Sequence, residues 1–170
     1  GAIDPINFGF NQCASDPPEK TSAWIKWEDC RKGGYDAKSR IQEIDLDGVD
    51  GELFYPTPRI GNSLFWNNKD REFHLACIRA YNDWLYDFCK VDNDRLIGVA
   101  MISPFDIKDA VAETRRCVTE LGFRGIFLKA NVLNGRNWHD PYYDPLWSTL
   151  EELNVPVGFH GPGGPAGTQF

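Results

Sequence analysis

Short apolar runs alternate with longer amphipathic segments through most of the chain. Three continuous apolar runs, Leu96–Ile102, Gly125–Leu128 and Val155–Phe159, are bounded by turn residues. Apolar runs of this length with turns at both ends are typical of strands covered on both faces. A fourth strand is predicted at Val49–Tyr55, because two prolines that cannot continue a sheet ladder close this segment. The pattern therefore predicts four strands.

Helices are predicted between these strands from their caps and apolar spacing. Asp36 begins a short helix that ends at Gly48, and Asp106 begins one that ends at Gly122. Asp144 is the predicted cap of the last helix, because Pro145 fits its first turn. The clearest helix carries an apolar stripe that we expect to face the core: Phe73, Cys77, Ala80, Tyr81, Trp84, Leu85 and Phe88.

The alternation of strands and helices predicts an α/β fold with a parallel sheet. The last three strands begin about thirty residues apart, which is the length of a right-handed βαβ unit. No GxGxxG and no GxxxxGK[ST] sequence is present, so a nucleotide-binding sheet is disfavoured. A (β/α)₈ TIM barrel needs about 250 residues and eight strands. The chain is therefore expected to be a partial TIM barrel, while a flavodoxin-like binding domain stays open on strand count.

The predicted organisation has three segments. Residues 1–34 are rich in aromatic and turn residues and are expected to form irregular covering loops. Residues 35–164 carry the partial barrel, and residues 165–170 form a loop.

Composition narrows the class of partner. A net charge of −7 argues against nucleic acid or an acidic membrane as the main partner. The five cysteines show no spacing typical of a zinc site, and their odd number favours a reducing, cytoplasmic location. A hydrophobic content of 42% is that of a folded globular protein.

His160 is the first candidate for chemistry. It ends a predicted strand and precedes a loop rich in glycine and proline. Parallel sheets build their sites at the carboxyl ends of the strands, where an imidazole can hold a metal or move a proton. The alternative, a hydrogen-bonded core histidine, is equally compatible with the sequence.

Six segments, in order, resemble the amidohydrolase-2 branch of the metal-dependent hydrolase superfamily, which includes aromatic-acid decarboxylases and ring-fission-product hydrolases. These segments are Arg40–Asp45 with Gly48-Val49, Ala80–Leu85, Arg95–Ala100, Glu120–Gly125, Tyr143–Trp147, and Pro156-Val157 leading to His160.

The resemblance implies a distorted TIM barrel of which this chain supplies the second to fifth strands. It also implies one divalent metal, usually zinc, with His160 as the ligand of the fifth strand. The family's His-x-His pair is absent, and the only histidines are His74, His139 and His160. His74 lies on the large helix and is given no catalytic role. The other metal ligands are therefore expected to lie outside this chain, which alone would be inactive.

Four further residues are candidates for contact with a carboxylate substrate. Lys129 ends the predicted fourth strand of the barrel, where binuclear members of the superfamily carry a carboxylated lysine. Arg59 and Arg31 could each fork onto a carboxylate, and His139 lies in a loop on the same side as the strand ends. For each of these residues, a solvent-exposed side chain without function is the alternative.

Two functions remain open at this point. The first is part of a metal-dependent hydrolase or decarboxylase acting on a small carboxylated aromatic or unsaturated acid. The second is a catalytically inactive half-barrel that self-associates, because open sheet edges tend to pair. Under either hypothesis we expect a homo-oligomer.

Overall fold

The computed structural model describes residues 31–56, 70–130 and 135–160. These residues fall into two compact units. The first contains the described residues up to 52 together with 88–96, and the second contains the remainder. Residues 1–30 and 161–170 lie outside the described residues, so the predicted domain boundaries at 34 and 165 stay predictions. No helix within the described ranges is long and apolar enough to cross a membrane.

The first unit is built around helix α1, Ala37–Leu46, which follows a 3-10 turn at Lys32–Gly34. The side chain of Asp36 accepts a hydrogen bond from the amide of Ser39 at 2.8 Å, which confirms the predicted cap. The helix is followed by Asp47 and then by Gly48, whose φ of 68° suits glycine. Both predicted ends of this helix are therefore confirmed to within two residues.

The strands of the chain are β1 (Glu52–Phe54), β2 (Leu96–Gly98), β3 (Ala100–Met101), β4 (Ile126–Lys129) and β5 (Val157–His160). The predicted run 96–102 is present as two short strands because the chain changes partner at Val99. The amide of Val99 donates to the carbonyl of Phe54 at 3.2 Å, and the amide of Ala100 donates to the carbonyl of Gly125 at 3.0 Å. This segment therefore lies between β1 and β4.

Strand order supports a barrel. β1 pairs with β2, and β3, β4 and β5 are neighbours in that order with parallel pairing. The described strands are thus adjacent in the order of the sequence, without the reversal that defines a doubly wound sheet. This order sets the flavodoxin-like alternative aside.

The sheet is also curled. In a flat sheet β1 and β5 would lie three strand spacings apart, about 14 Å. The ring of Tyr55, directly after β1, is nevertheless stacked on the ring of His160 in β5, with centroids 5.2 Å apart. Side chains from these strands meet only if the sheet closes toward itself, as in a barrel. The predicted partial TIM barrel is confirmed.

Helix α2, Arg71–Cys89, buries a face that only partly matches the predicted stripe. Phe73 and Trp84, expected in the core, are 53% and 49% exposed. Polar His74 and Asn82 are buried instead, because the core supplies a hydrogen-bond partner for each. The buried face consists mainly of His74, Ile78, Tyr81, Asn82, Leu85 and Phe88.

The two remaining helices are α3, Ile107–Thr119, and α4, Asp144–Leu153. Asp106 caps α3 as predicted, accepting from the amides of Lys108 and Asp109 at 2.9 and 3.2 Å. The predicted cap of α4 was wrong, because Asp144 is already the first helical residue. The capping aspartate is Asp140, which begins the preceding 3-10 turn and accepts from the amide of Tyr142.

A buried polar network joins α2, β3 and α3. Asn82 donates from its amide nitrogen to the carbonyl of Met101 at 3.0 Å, and accepts from the amide of Met101 at 2.8 Å. The same side chain donates to Glu113 on α3 at 2.9 Å. The Glu113 side chain is only 3% exposed and also receives two hydrogen bonds from Arg116. The apolar pattern gave no sign of this carboxylate in the core.

Burial disfavours the ionised form of Glu113, but the hydrogen bonds from Arg116 and Asn82 outweigh burial and lower its pKa. Glu113→Ala should cost about 3 kcal/mol in the free energy of unfolding, because it leaves buried groups without their partner. Urea denaturation measures this loss. Glu152→Ala, at an exposed ion pair with Arg115, is the matched control and should leave the free energy of unfolding nearly unchanged.

The same pKa shift predicts a pH dependence. The folded pKa of Glu113 lies below its ordinary value of 4.5, so its stabilising contribution is present above that pH and is lost as the pH falls through the folded pKa. Wild-type protein should therefore lose more stability on acidification below pH 4.5 than Glu113→Gln does. Equal acid sensitivity of the two proteins would contradict this assignment.

Candidate active site

The register of β4 and β5 places two candidate residues side by side. Lys129 pairs with His160, and Phe127 pairs with Gly158. Paired residues of parallel strands share a face of the sheet, and alternate residues along one strand return to that face. Lys129 and His160 therefore lie on the same face at the carboxyl ends of neighbouring strands, with Phe127 and Gly158 one step below them.

His160 is exposed at the end of β5, so it is not a core histidine. Its ring is stacked on Tyr55 with an angle of 29° between the planes. Phe127 approaches the same imidazole with its centroid 6.4 Å away and an angle of 60°. Tyr55 also meets Phe127 edge-on at 6.1 Å. Two aromatic rings thus flank an imidazole that is open to the strand ends.

Lys129 is only 9% exposed, although its side chain carries an ammonium group. Burial lowers the pKa of this lysine, because the charged form loses hydration. The carbonyl oxygen of Lys129 accepts a hydrogen bond from the indole nitrogen of Trp138 at 3.2 Å. The end of β4 is therefore attached to the loop that follows it.

Trp138 packs with other aromatic residues on the opposite face of the sheet, at the ends of β4 and β5. Its ring lies 5.5 Å from Phe159, whose side chain alternates with that of His160 and so faces the other way. It also lies 4.7 Å from Tyr143 and 5.7 Å from Trp147, and its carbonyl accepts a hydrogen bond from the Trp147 indole. This packing supports the ends of both β4 and β5.

The remaining candidate residues are Arg31, His139 and Arg59. Arg31 belongs to the first unit, where its Nε lies 3.5 Å from a carboxylate oxygen of Glu43. His139 is exposed in the loop before Asp140. Arg59 lies outside the described residues.

His74 faces inward from α2. Its Nε2 lies 2.8 Å from the hydroxyl oxygen of Ser103, just after β3, and its ring meets Phe105 edge-on at 5.3 Å. Both polar side chains are 3% exposed. The contact satisfies buried groups, as expected for a core histidine.

Sequence reasoning missed Tyr55 and Trp138. Tyr55 occupied the end of a predicted strand, but only the curl of the sheet brings its ring onto His160. Trp138 lies in the loop after β4, and nothing in its sequence context shows a bond to the Lys129 carbonyl.

A metal would find one suitable donor among these residues. Imidazole nitrogen is a ligand for zinc and manganese, and His160 is exposed where a barrel enzyme holds its metal. Within residues 31–56, 70–130 and 135–160, no three His, Cys, Asp or Glu side chains are grouped closely enough to hold an ion. The described residues therefore offer one candidate ligand, and a metal site would need further ligands from other residues.

A curled parallel sheet of this strand order matches part of a TIM barrel, a fold in which sites lie at the carboxyl ends of the strands. The amidohydrolase model, Amidohydro_2, matches residues 58–170. The chain belongs to this family, which confirms the predicted resemblance.

Two curated relatives match about three quarters of this chain. One is the 2-amino-3-carboxymuconate-6-semialdehyde decarboxylase of Dictyostelium discoideum, 30% identical over 126 residues, covering 74% of this chain and 34% of the relative. The other is the 2-keto-4-carboxy-3-hexenedioate hydratase of a Sphingobium species, 28% identical over 137 residues, covering 74% of this chain and 38% of the relative. The chain thus spans little more than a third of the length of these relatives.

A solved structure shows the same fold with its ligands. The 5-carboxyvanillate decarboxylase of Novosphingobium aromaticivorans, complexed with manganese and 4-hydroxy-3-methoxy-5-nitrobenzoic acid, is 28% identical. It superposes with a TM-score of 0.64, covering 74% of this chain and 34% of the other. These relatives are lyases that act on small carboxylated acids.

Proposed function

We propose that this chain is part of a metal-dependent carboxy-lyase that removes CO₂ from a small carboxylated aromatic or unsaturated acid. The observation that carries the proposal is the pairing of Lys129 with His160 on one face of the strand ends, in a chain of the amidohydrolase family. Decarboxylation replaces the broader hydrolase hypothesis, because two of the three relatives above are decarboxylases and none is a hydrolase.

His160 would ligate one divalent metal, with the remaining ligands supplied by residues outside those described. Zinc was expected from the family resemblance, and the related decarboxylase structure contains manganese. Imidazole serves either ion. When bound, the metal supplies a Lewis acid that draws electron density from an oxygen of the substrate.

Lys129 would bind an anionic oxygen of the same substrate. Its register with His160 puts both residues on one face of the strand ends, and its low exposure would strengthen any ion pair that it forms. Arg59, Arg31 and His139 stay as proposed contacts for a carboxylate elsewhere on the substrate.

Phe127 and Tyr55 would exclude water around the scissile bond. When CO₂ leaves, the electron pair of the carbon–carbon bond stays on the substrate carbon, which then takes a proton. The charge of the carboxylate is localised before this step and dispersed during it. Apolar side chains that displace water from the carboxylate therefore favour the reaction. The aromatic rings beside His160 are side chains of this kind.

The partner of the site would be a small-molecule carboxylate, and the intact protein would be a homo-oligomer. Size-exclusion chromatography with light scattering measures the second expectation, and a monomer would contradict it.

The metal assignment predicts the effect of one substitution. His160→Ala in the intact protein should reduce bound zinc or manganese to background after purification, because a metal site with a ligand missing binds weakly. Elemental analysis by mass spectrometry measures the metal. His139→Ala, which removes an exposed loop imidazole, is the control and should keep its metal. Unchanged metal content in His160→Ala would refute the assignment.

The reaction class is tested with the wild-type protein and a panel of carboxylated aromatic and unsaturated acids. Mass spectrometry separates the loss of CO₂ from the addition of water, so a hydratase would be recognised by its product. Absence of turnover with metal fully bound would favour the inactive half-barrel instead.

The role of Lys129 predicts a defect in substrate binding. Lys129→Met should lower kcat/KM by about 10- to 100-fold, the value of one charge-assisted hydrogen bond, while leaving metal content unchanged. Steady-state kinetics measure this ratio. Lys108→Met, at an exposed position on α3, is the control. A kcat/KM equal to that of the control would contradict substrate contact by Lys129.

A further inference from the structure

Tyr55 makes three contacts at the strand ends. Its ring is stacked on His160 at 5.2 Å and meets Phe127 edge-on at 6.1 Å. Its hydroxyl lies over Gly158, where a Cβ added to the glycine would come within 2.6 Å of the hydroxyl oxygen. The side chain of Tyr55, directly after β1, therefore contacts two residues of β5.

Gly158 leaves the space that this arrangement needs. Any other residue would direct its Cβ onto the tyrosine hydroxyl, and carbon atoms essentially never approach so closely. Ring atoms of Tyr55 lie 3.3 and 3.4 Å from the same point, so the ring as well as the hydroxyl would be crowded by an added Cβ. The position of the Tyr55 ring on His160 therefore depends on a glycine at position 158.

We infer that Tyr55 is a positioning residue that fixes the imidazole of His160 in the direction needed for metal binding. This inference rests on the proposed function, in which His160 is a ligand. An exposed imidazole can otherwise rotate about both of its side-chain bonds, and each rotation lost on binding costs affinity. Stacking by Tyr55 on one face and the edge contact of Phe127 restrict those rotations beforehand.

The ring of Tyr55, and not its hydroxyl group, orients the imidazole of His160. The Tyr55 hydroxyl points at Gly158, whereas the face of the ring contacts the imidazole. Tyr55→Phe should therefore keep the upfield shift of His160 and the affinity for Mn²⁺. Tyr55→Leu keeps an apolar side chain but removes the stacked face. Gly158→Ala keeps the tyrosine and displaces it.

The experiment uses the intact protein with two readouts. In metal-free protein labelled with ¹³C-histidine, the ring current of Tyr55 shifts the His160 proton resonances upfield. Isothermal titration with Mn²⁺ alone measures affinity. Thermal denaturation of each variant confirms that it is folded, and Tyr55→Phe serves as the conservative rescue.

We expect Tyr55→Leu to lose the upfield shift and to bind Mn²⁺ about 10-fold more weakly, the lower range found for residues that orient a metal ligand. Gly158→Ala should give a similar loss. The double variant should bind no more weakly than Tyr55→Leu, because removing the phenol also removes the clash with the new methyl group.

Separate outcomes distinguish the inference from the proposed function. If His160→Ala abolishes Mn²⁺ binding while Tyr55→Leu leaves the affinity unchanged, the positioning role is refuted and the function stands. If His160→Ala still binds Mn²⁺, the proposed ligand role fails and the positioning role fails with it, even where the upfield shift confirms the stack. If the losses of Mn²⁺ affinity in Tyr55→Leu and Gly158→Ala add up in the double variant, the two residues act independently, and the inference that Gly158 acts through Tyr55 is refuted.

Discussion

The parallel register between β4 and β5 is the constraint on which the candidate site depends. Lys129 and His160 lie side by side only because Phe127 pairs with Gly158 one step earlier. A slip of one residue would turn one of the two polar side chains to the opposite face of the sheet. The hydrogen bond from the amide of Ile126 to the carbonyl of Pro156, at 3.1 Å, fixes this register at the start of both strands.

Packing on both faces of the sheet reinforces the register. On the face that carries His160, Tyr55 fits only above the glycine, so a shifted β5 would meet the phenol with a larger side chain. On the other face, Trp138 contacts Phe159 of β5 while its indole donates to the carbonyl of Lys129 in β4. The loop after β4 thereby joins the two strand ends that carry the candidate residues.

Sequence patterns predicted the elements better than the contacts between them. Asp36, Asp106 and Gly122 marked helix ends through local hydrogen bonding and backbone conformation, which a few neighbouring residues determine. The buried face of α2 was predicted only in part, because apolar periodicity assigned the exposed residues Phe73 and Trp84 to the core and did not select Asn82. Asn82 is buried because Met101 and Glu113 supply its hydrogen-bond partners. Both partners are distant in the sequence, so apolar periodicity along the helix could not predict them.

His160 could be selected from sequence because a strand exit before a glycine loop is a local feature. Its orientation could not, because the ring that stacks on it belongs to Tyr55, about a hundred residues earlier in the chain. The curl of the sheet brings Tyr55 and His160 into contact although they are far apart in the sequence. The same curl would bring metal ligands from other strands close to one ion. A metal site assembled from several strands binds tightly only when each donor already points inward. The aromatic contacts of His160 would give its imidazole that direction before any metal arrives.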